Sequence, residues 1–294
     1  MEINNRIFKG ILTLIAVLVV AGYSLVFYLK LDEPVFFQHY YDQRVYVDRE
    51  HYQDISFNLG YITNAYDNSV VIDIAFPEYP EITIQASEYG YSHPFNWGSE
   101  QNKTPGDIYG RYNVRSVNCK IIDLPKEKDL DGIVLTQARI LFSDSSEMTV
   151  DIGEIHLYEH RFGKSPLEHV SSSGSNNGTG KTSYRILGDL TITAIDSPLM
   201  EKFKDRVQWK INGSNPEDSL GMTLQKGNFL DVTTKVGIGD DIVSQYTLFD
   251  IHPKLTITDD DGIHYYERVY NIKSLYHNYS FMGLYRYIKA REAI

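Results

Sequence analysis

Two histidines and a glutamate stand at a spacing that zinc peptidases use. His156, Glu159 and His160 match the pattern H-x-x-E-H, which on a helix places both imidazoles around a zinc ion with the carboxylate as base. Residues 149–155 have the composition of a strand, however, and Gly153 disfavours a helix there. On a strand the two histidines lie about 13 Å apart, too far to share a metal ion. We therefore predict no metal site at this motif.

A glycine-rich segment is similar to a phosphate-binding loop. Residues 175–182 have the sequence SNNGTGKT, but the motif requires glycine where Ser175 stands. Such a loop also follows a buried strand, whereas residues 168–174 are polar. The sequence therefore predicts a flexible linker or long loop here, and no nucleotide partner.

Three aspartates before a glycine offer oxygen ligands of the kind that calcium prefers. Residues 259–262 read DDDG, but they lack the spacing and the distal glutamate of an EF-hand loop. Asp-Gly between two strand-like runs is a strong signal for a hairpin turn. We therefore predict a structural turn.

The sequence contains none of the common motifs for a catalytic nucleophile. There is no G-x-S-x-G elbow and no S-x-x-K with its partner motifs. Cys119, the one cysteine, lies in a strand-like run without a histidine-bearing signature beside it. We predict no catalytic residue and no cofactor, and we favour a non-enzymatic role while leaving enzymatic activity open.

One segment concentrates aromatic side chains among turn residues. Residues 88–97 read EYGYSHPFNW, and exposed rings on a loop offer area for stacking on sugars or for packing against a partner protein. The alternative is that the rings fold inward as a small core beneath the loop. The residues predicted to bind a ligand are Tyr89, Tyr91, His93, Phe95 and Trp97.

Strand signals dominate the chain that must position these residues. Short runs rich in Val, Ile, Thr, Tyr and Phe recur between Gly, Asp, Asn or Pro, which predicts antiparallel sandwich-like sheets. Two short helices are predicted at residues 198–206 and 276–293. The predicted strands lie at residues 44–47, 55–62, 70–76, 82–86, 114–122, 133–142, 149–158, 184–187, 190–195, 207–211, 229–236, 246–249, 254–258 and 263–270.

The beginning of the chain predicts a membrane anchor. Residues 10–29 carry no charge, and a helix of that length is about 30 Å long, the thickness of the hydrocarbon core. A cleaved secretory signal is the alternative, but the small pair Ala21-Gly22 is followed by a further apolar stretch at residues 25–29. We therefore favour an uncleaved anchor through which the protein contacts the membrane.

Basic residues predict the orientation of this anchor. Arg6 and Lys9 precede the apolar run, whereas Lys30 is followed by Asp32 and Glu33. The positive-inside tendency then places the N-terminus in the cytoplasm and residues 31–294 outside. The chain carries 28 basic and 39 acidic residues, a net charge of −11, and this acidity argues against nucleic acid as a partner.

Composition changes abruptly where residues 171–183 lack any large apolar side chain. The fold class we predict is mostly β: a transmembrane helix, antiparallel sandwich-like domains and a short C-terminal helix. The predicted parts are a cytoplasmic N-terminus (1–9), a transmembrane anchor (10–30), a first β-rich extracytoplasmic domain (31–162), a flexible linker or long loop (163–183), and a second β-rich extracytoplasmic domain (184–294).

These features favour a surface protein of a bacterial envelope. A single cysteine allows no internal disulfide, which fits a bacterial surface, and a Gram-positive one is our preferred prediction. The leading hypothesis is a non-enzymatic binding or accessory module that contacts envelope glycan or another envelope protein. The alternatives are an envelope hydrolase acting on wall polymers and a structural subunit of a membrane complex.

Overall fold

The computed structural model describes residues 2–46, 55–88, 105–124, 130–160, 165–270, 272–275 and 277–292. It begins with helix α1 (Glu2–Tyr28). From Ile7 to Tyr28 this helix is long and apolar enough to cross a membrane, with a mean hydropathy of 2.4, and none of that span is buried in the protein. The predicted anchor segment is therefore helical from Gly10 to Tyr28.

The remaining chain is mostly strand. The N-terminal half contains β1 (Val35–Phe36), β2 (His39–Tyr46), β3 (Ile55–Asn64), β4 (Val71–Ala75), β5 (Thr83–Ser87), β6 (Asp107–Tyr109), β7 (Tyr112–Asp123), β8 (Val134–Phe142) and β9 (Glu147–His160). The C-terminal half contains β10 (Leu167–Gly174), β11 (Thr179–Ile186), β12 (Leu190–Asp196), β13 (Val207–Ile211), β14 (Thr223–Leu224), β15 (Phe229–Val236), β16 (Leu248–Ile251), β17 (Lys254–Asp259), β18 (His264–Arg268) and β19 (Ile272–Lys273).

Three short helices complete the described elements: α2 (Pro198–Lys202), α3 (Ile242–Tyr246) and α4 (Phe281–Glu292). Two of them, α2 and α4, fall within the predicted helical segments. The predicted fold class is confirmed: the chain is mostly β, with several antiparallel sheets, an N-terminal apolar helix and a short C-terminal helix.

The strands form four sheets. Their orders are β1-β3-β7-β5 with β6 beside β7, β19-β16-β2-β9-β8-β4, β10-β11-β15-β13, and β14-β12-β17-β18. All pairs are antiparallel except two, because β2 runs parallel to both β9 and β16. Parallel neighbours need long connections between them, and these two pairings join positions far apart in the chain. The six-stranded sheet takes strands from both halves of the chain, and the division into two domains stays a prediction.

Buried apolar side chains form three clusters between these layers. The first lies between the β3–β7 sheet and the six-stranded sheet, with Leu59, Val117 and Ile155 at its centre. The second lies in the C-terminal half and includes Trp209 and Ile257. The third packs α4 and Tyr246 against residues next to α1. Alternation of buried and exposed positions along β13 and β15 shows why these sequences form half-buried strands.

The segment predicted as a flexible linker or long loop forms a β-hairpin. Strands β10 and β11 pair from Leu167 with Ile186 to Gly174 with Gly180, and β11 pairs with β15 on its other side. The prediction was wrong for these residues because β10 is an edge strand whose side chains after Leu167 are exposed. Backbone hydrogen bonds hold such a strand, so a polar composition does not prevent its formation.

A buried ion pair beside the five-stranded sheet is hydrogen-bonded to the β4 end of the six-stranded sheet. Arg115 and Glu88 lie 2.5 Å apart with about 1% of each side chain exposed. Glu88 also accepts hydrogen bonds from Tyr61 Oη (2.5 Å) and the backbone N–H of Val71 (2.7 Å), and Arg115 donates to the carbonyl oxygen of Ser69 at 2.6 Å. These partners replace the water that both charges lose on burial.

Replacing Arg115 with methionine should lower the free energy of unfolding by about 3–5 kcal/mol, because the substitution leaves the Glu88 carboxylate buried without its charge partner. Urea unfolding of the full chain in detergent micelles measures this loss. Arg139→Met is the matched control, since its ion pair with Glu147 is more than half exposed and should contribute less than about 1 kcal/mol. Equal losses in the two variants would contradict the prediction.

Candidate functional site

An open cleft lies in the six-stranded sheet where the pairing between β16 and β2 ends. Strand β16 pairs with β2 only over residues 39–41, and β2 then continues to Tyr46 without that neighbour. The cleft that opens there has a volume of about 610 Å³. Its walls come from β2, the beginning of β3, the end of β16 with His252, and Tyr270, Lys273 and Ser274. Residues from both halves of the chain therefore meet in this cleft.

His252 is the centre of a hydrogen-bonded row in this cleft. Its Nε2 atom lies 3.0 Å from Asp250 Oδ1, and its Nδ1 atom lies 3.0 Å from the hydroxyl of Tyr158 behind it. Both ring nitrogens are thus engaged, and only 11% of the His252 side chain is exposed. Burial raises the pKa of Tyr158, so its hydroxyl keeps its proton. The row fixes the orientation of the imidazole.

Two carboxylates of the cleft have their pKa values shifted in opposite directions. Burial raises the pKa of Asp42, although its Oδ2 atom accepts a hydrogen bond from the backbone N–H of His252 at 2.7 Å. Burial also opposes ionisation of Asp250, but the His252 ring and the Lys273 ammonium at 3.0 Å outweigh it and lower the pKa of Asp250. One carboxyl therefore holds a proton more readily than the other.

Cations and aromatic rings cover the same site. The guanidinium of Arg268 lies 4.0 Å from the ring centroid of Tyr158 and donates to the carbonyl oxygen of His252 at 3.0 Å. The guanidinium of Arg44 lies 5.3 Å from the ring centroid of Tyr270. The cleft thus offers carboxylates, an ammonium group and an aromatic ring within one concave surface, a set that can hydrogen-bond a hydroxyl-rich ligand and stack on it.

The predicted aromatic ligand site lies outside the described residues. Tyr89, Tyr91, His93, Phe95 and Trp97 all belong to that part of the chain, and the proposal that they bind a ligand stays a prediction. Their described neighbour is Glu88, whose carboxylate is held in the buried pair with Arg115.

The structure places the other sequence motifs on strands. His156 lies on β9, as predicted for a strand, and its Nε2 atom is 3.2 Å from Glu154 Oε2. Within the described residues no group of three or more His, Cys, Asp or Glu side chains is arranged to hold a metal ion. Asp259 begins the predicted turn between β17 and β18 and accepts a hydrogen bond from the backbone N–H of Ile263. Cys119 is buried on β7, where burial raises the pKa of its thiol.

The segment similar to a phosphate-binding loop forms the turn and second strand of the β10–β11 hairpin. It lines a smaller cavity of about 330 Å³ with Ser274 and Leu275. Strand β11 follows the turn, whereas phosphate binding by this motif depends on a helix N-terminus. Lys181 pairs with Asp231 at 2.8 Å. The geometry therefore differs from that of a nucleotide site.

Reasoning from the sequence missed the cleft because its members are far apart in the chain. Asp42, Tyr158 and His252 meet only through the two parallel pairings of β2. A weak signal was available: His39 and Asp42 are polar residues inside a strand that also contains three tyrosines, and both are buried. Buried polar residues of this kind require partners, which marks a strand for closer attention.

No protein-family model and no curated protein matches the chain. Among solved structures, it is similar to a protein of unknown function from Porphyromonas gingivalis W83, with 10% identity over 81% of this chain and 94% of that chain and a TM-score of 0.24. Fibronectin(III)-like modules of CbhA from Clostridium thermocellum match with 10% identity over 84% and 96% and a TM-score of 0.17. A chicken TCR matches with 9% identity over 81% and 99% and a TM-score of 0.17. Likenesses with such low TM-scores carry no argument about function.

Asp42→Asn should make the protein more stable at neutral pH and leave it unchanged in acid. The raised pKa means that folded Asp42 binds a proton more readily than the unfolded residue, whose carboxyl has a pKa of 3.8. Stability therefore falls as pH rises from about 4 through the folded pKa. The amide keeps an acceptor for the N–H of His252 and removes this dependence.

Urea unfolding of both proteins at about pH 4 and pH 7 checks this expectation. The control is Asp205→Asn, which changes the same charge at an exposed position and should have little effect at either pH. A variant at Asp42 that is less stable than the natural protein at neutral pH would overturn the prediction.

Proposed function

We propose that this protein is a membrane-anchored, extracytoplasmic module of a bacterial cell envelope, and we favour a Gram-positive bacterium. Its β-rich part binds a ligand without converting it chemically. The ligand is a hydroxyl-rich envelope glycan, and the cleft centred on His252 receives it. The observation that carries the proposal is the direct connection of an exposed apolar helix to a folded β-region that holds such a cleft.

The surface of α1 supports the anchoring part of the proposal. Its apolar side chains are exposed on all sides, among them Leu14, Val17 and Leu18, each more than half accessible. In water this surface would be strongly unfavourable, whereas a bilayer covers it completely. Arg6 and Lys9 before the apolar run support a cytoplasmic N-terminus, which places the β-rich part outside.

The chemistry of the cleft supports a sugar-like ligand. The carboxylate of Asp250 and the ammonium of Lys273 lie 3.0 Å apart at the wall, so they present an acceptor and a donor side by side. Asn58 adds an amide and Tyr270 adds a ring. Hydroxyl groups are both donors and acceptors, and this alternating arrangement matches them better than it matches an apolar or a strongly charged ligand.

Asp250→Asn should weaken the binding of soluble wall-glycan fragments by about ten-fold or more, because the substitution removes a charged acceptor and leaves Lys273 without its ion pair. Isothermal titration calorimetry of the full chain in lipid nanodiscs measures the affinity. Asp205→Asn carries the same change of charge at an exposed position and should bind as the natural protein does. If Asp250→Asn binds glycan as tightly as the natural protein does, the cleft is excluded as the binding site, and residues 89–97 become the candidate site.

A hydrolase acting on wall polymers is the second candidate, and one observation favours it. Asp42 accepts from the backbone N–H of His252 and Asp250 contacts its ring, with pKa values shifted in opposite directions, and pairs of this kind serve as acid and base in glycoside hydrolysis. Release of reducing ends from wall glycan by the natural protein, with loss of this release in Asp42→Asn, would establish the hydrolase. Binding without any release supports the module.

A further inference from the structure

The C-terminal helix lies beside the end of the anchor helix. The hydroxyl of Tyr285 in α4 donates to the hydroxyl of Tyr28, the last residue of α1, at 3.2 Å, and the ring centroids are 6.5 Å apart. The ammonium of Lys289, one turn further along α4, lies 5.7 Å from the ring centroid of Tyr28. Residues 257 or more positions apart in sequence therefore meet at one end of the apolar span.

A second contact holds the two helices in this arrangement. The backbone N–H of Leu31 donates to Asn64 Oδ1 at 3.0 Å, and Asn64 Nδ2 donates back to the carbonyl oxygen of Leu31 at 2.8 Å. Leu31 is 5% exposed and belongs to the same apolar cluster as Leu284 and Tyr287 of α4. The end of α1 and the helix α4 are thus fixed to the same part of the β-region.

The two faces of α4 differ in composition. Leu284, Tyr287 and Ile288 are buried on the face that packs against the protein. On the other face Met282, Arg286, Lys289 and Glu292 are exposed at a spacing of about one turn, and the Lys289 ammonium pairs with the Glu292 carboxylate at 2.6 Å. An apolar residue followed by basic residues on an exposed helix face is typical of helices that lie at a membrane surface.

We propose that the exposed face of α4 lies on the extracytoplasmic surface of the membrane that α1 spans, where it contacts anionic lipid headgroups. This inference rests on the proposed anchoring by α1. A tyrosine at the end of a membrane span lies at the level of the headgroups, and a residue that hydrogen-bonds to Tyr28 must lie at the same level. Lys30 and Arg286, together with Lys289 in its ion pair with Glu292, then bring cations to the level where anionic lipid is found.

A fluorescent label on α4 tests this arrangement in the full chain. Cys119 is fully buried, so a cysteine introduced by Met282→Cys reacts selectively with a polarity-sensitive dye. The labelled protein is placed in nanodiscs of phosphatidylcholine, with and without about a third of phosphatidylglycerol, that carry a nitroxide quencher near the headgroups. We expect quenching at position 282 that is stronger with the anionic lipid. A label introduced by Leu220→Cys, at an exposed position of the C-terminal half, should remain unquenched.

Charge reversal tests the chemistry of the contact. The double variant Arg286→Glu and Lys289→Glu should reduce the equilibrium constant for the membrane-bound state of α4 by roughly five-fold for each cation lost. Quenching at position 282 should then become equal in the two lipid mixtures. Equal quenching in both mixtures before charge reversal would overturn the assignment to anionic headgroups.

A label on α1 separates the two proposals. Val17→Cys places the dye at an exposed position in the middle of the apolar run, where a nitroxide in the lipid tails should quench it. Quenching at position 17 without quenching at position 282 would overturn the placement of α4 and leave the anchor intact. Absence of quenching at position 17 would overturn the anchoring by α1, and the placement of α4 with it.

Discussion

The rest of the structure depends on strand β2 being buried on both faces. Val45 on one face belongs to the first apolar cluster, and Tyr40 on the other face packs against the second. A strand covered on both sides can keep polar residues only if they find partners inside the protein. His39 accepts a hydrogen bond from the backbone of β3, and burial lowers its pKa to about 3, so its ring is neutral. Asp42 accepts one from the backbone beyond β16.

The cleft follows from the unequal lengths of the strands beside β2. Strand β9 accompanies β2 along its whole length, whereas β16 pairs with only three of its residues. The polar groups at the end of β16 are therefore close to β2 without being closed off from solvent. Asp250 meets both an imidazole and an ammonium there with 30% of its side chain exposed, while Asp42, 6% exposed, accepts a hydrogen bond from the backbone N–H of His252. This difference in partners explains why burial controls the pKa of one carboxyl and not of the other.

Local patterns were sufficient to predict most strands but not their distant partners. The bounds predicted at residues 207–211 and 229–236 agree with β13 and β15, because alternating apolar side chains specify a half-buried strand wherever it pairs. Strand β10 carries no such alternation, since its side chains after Leu167 are exposed, and its pairing is a property of the backbone. The cleft depends on parallel pairings between residues near positions 40, 155 and 249. Local sequence patterns do not indicate which distant strands pair with one another.

If α1 is an anchor, its short connection to the β-region limits how far from the membrane a ligand can be bound. Only two residues separate Tyr28, the end of α1, from the buried Leu31, and the three steps from Tyr28 to Leu31 span at most about 11 Å. The β-region therefore lies directly at the membrane and cannot extend away from it on a tether. A folded region of this size reaches about 50 Å from its attachment point. On the function proposed above, a glycan that enters the cleft belongs to the layer of the envelope next to the membrane, and a partner protein presents its binding surface within the same distance.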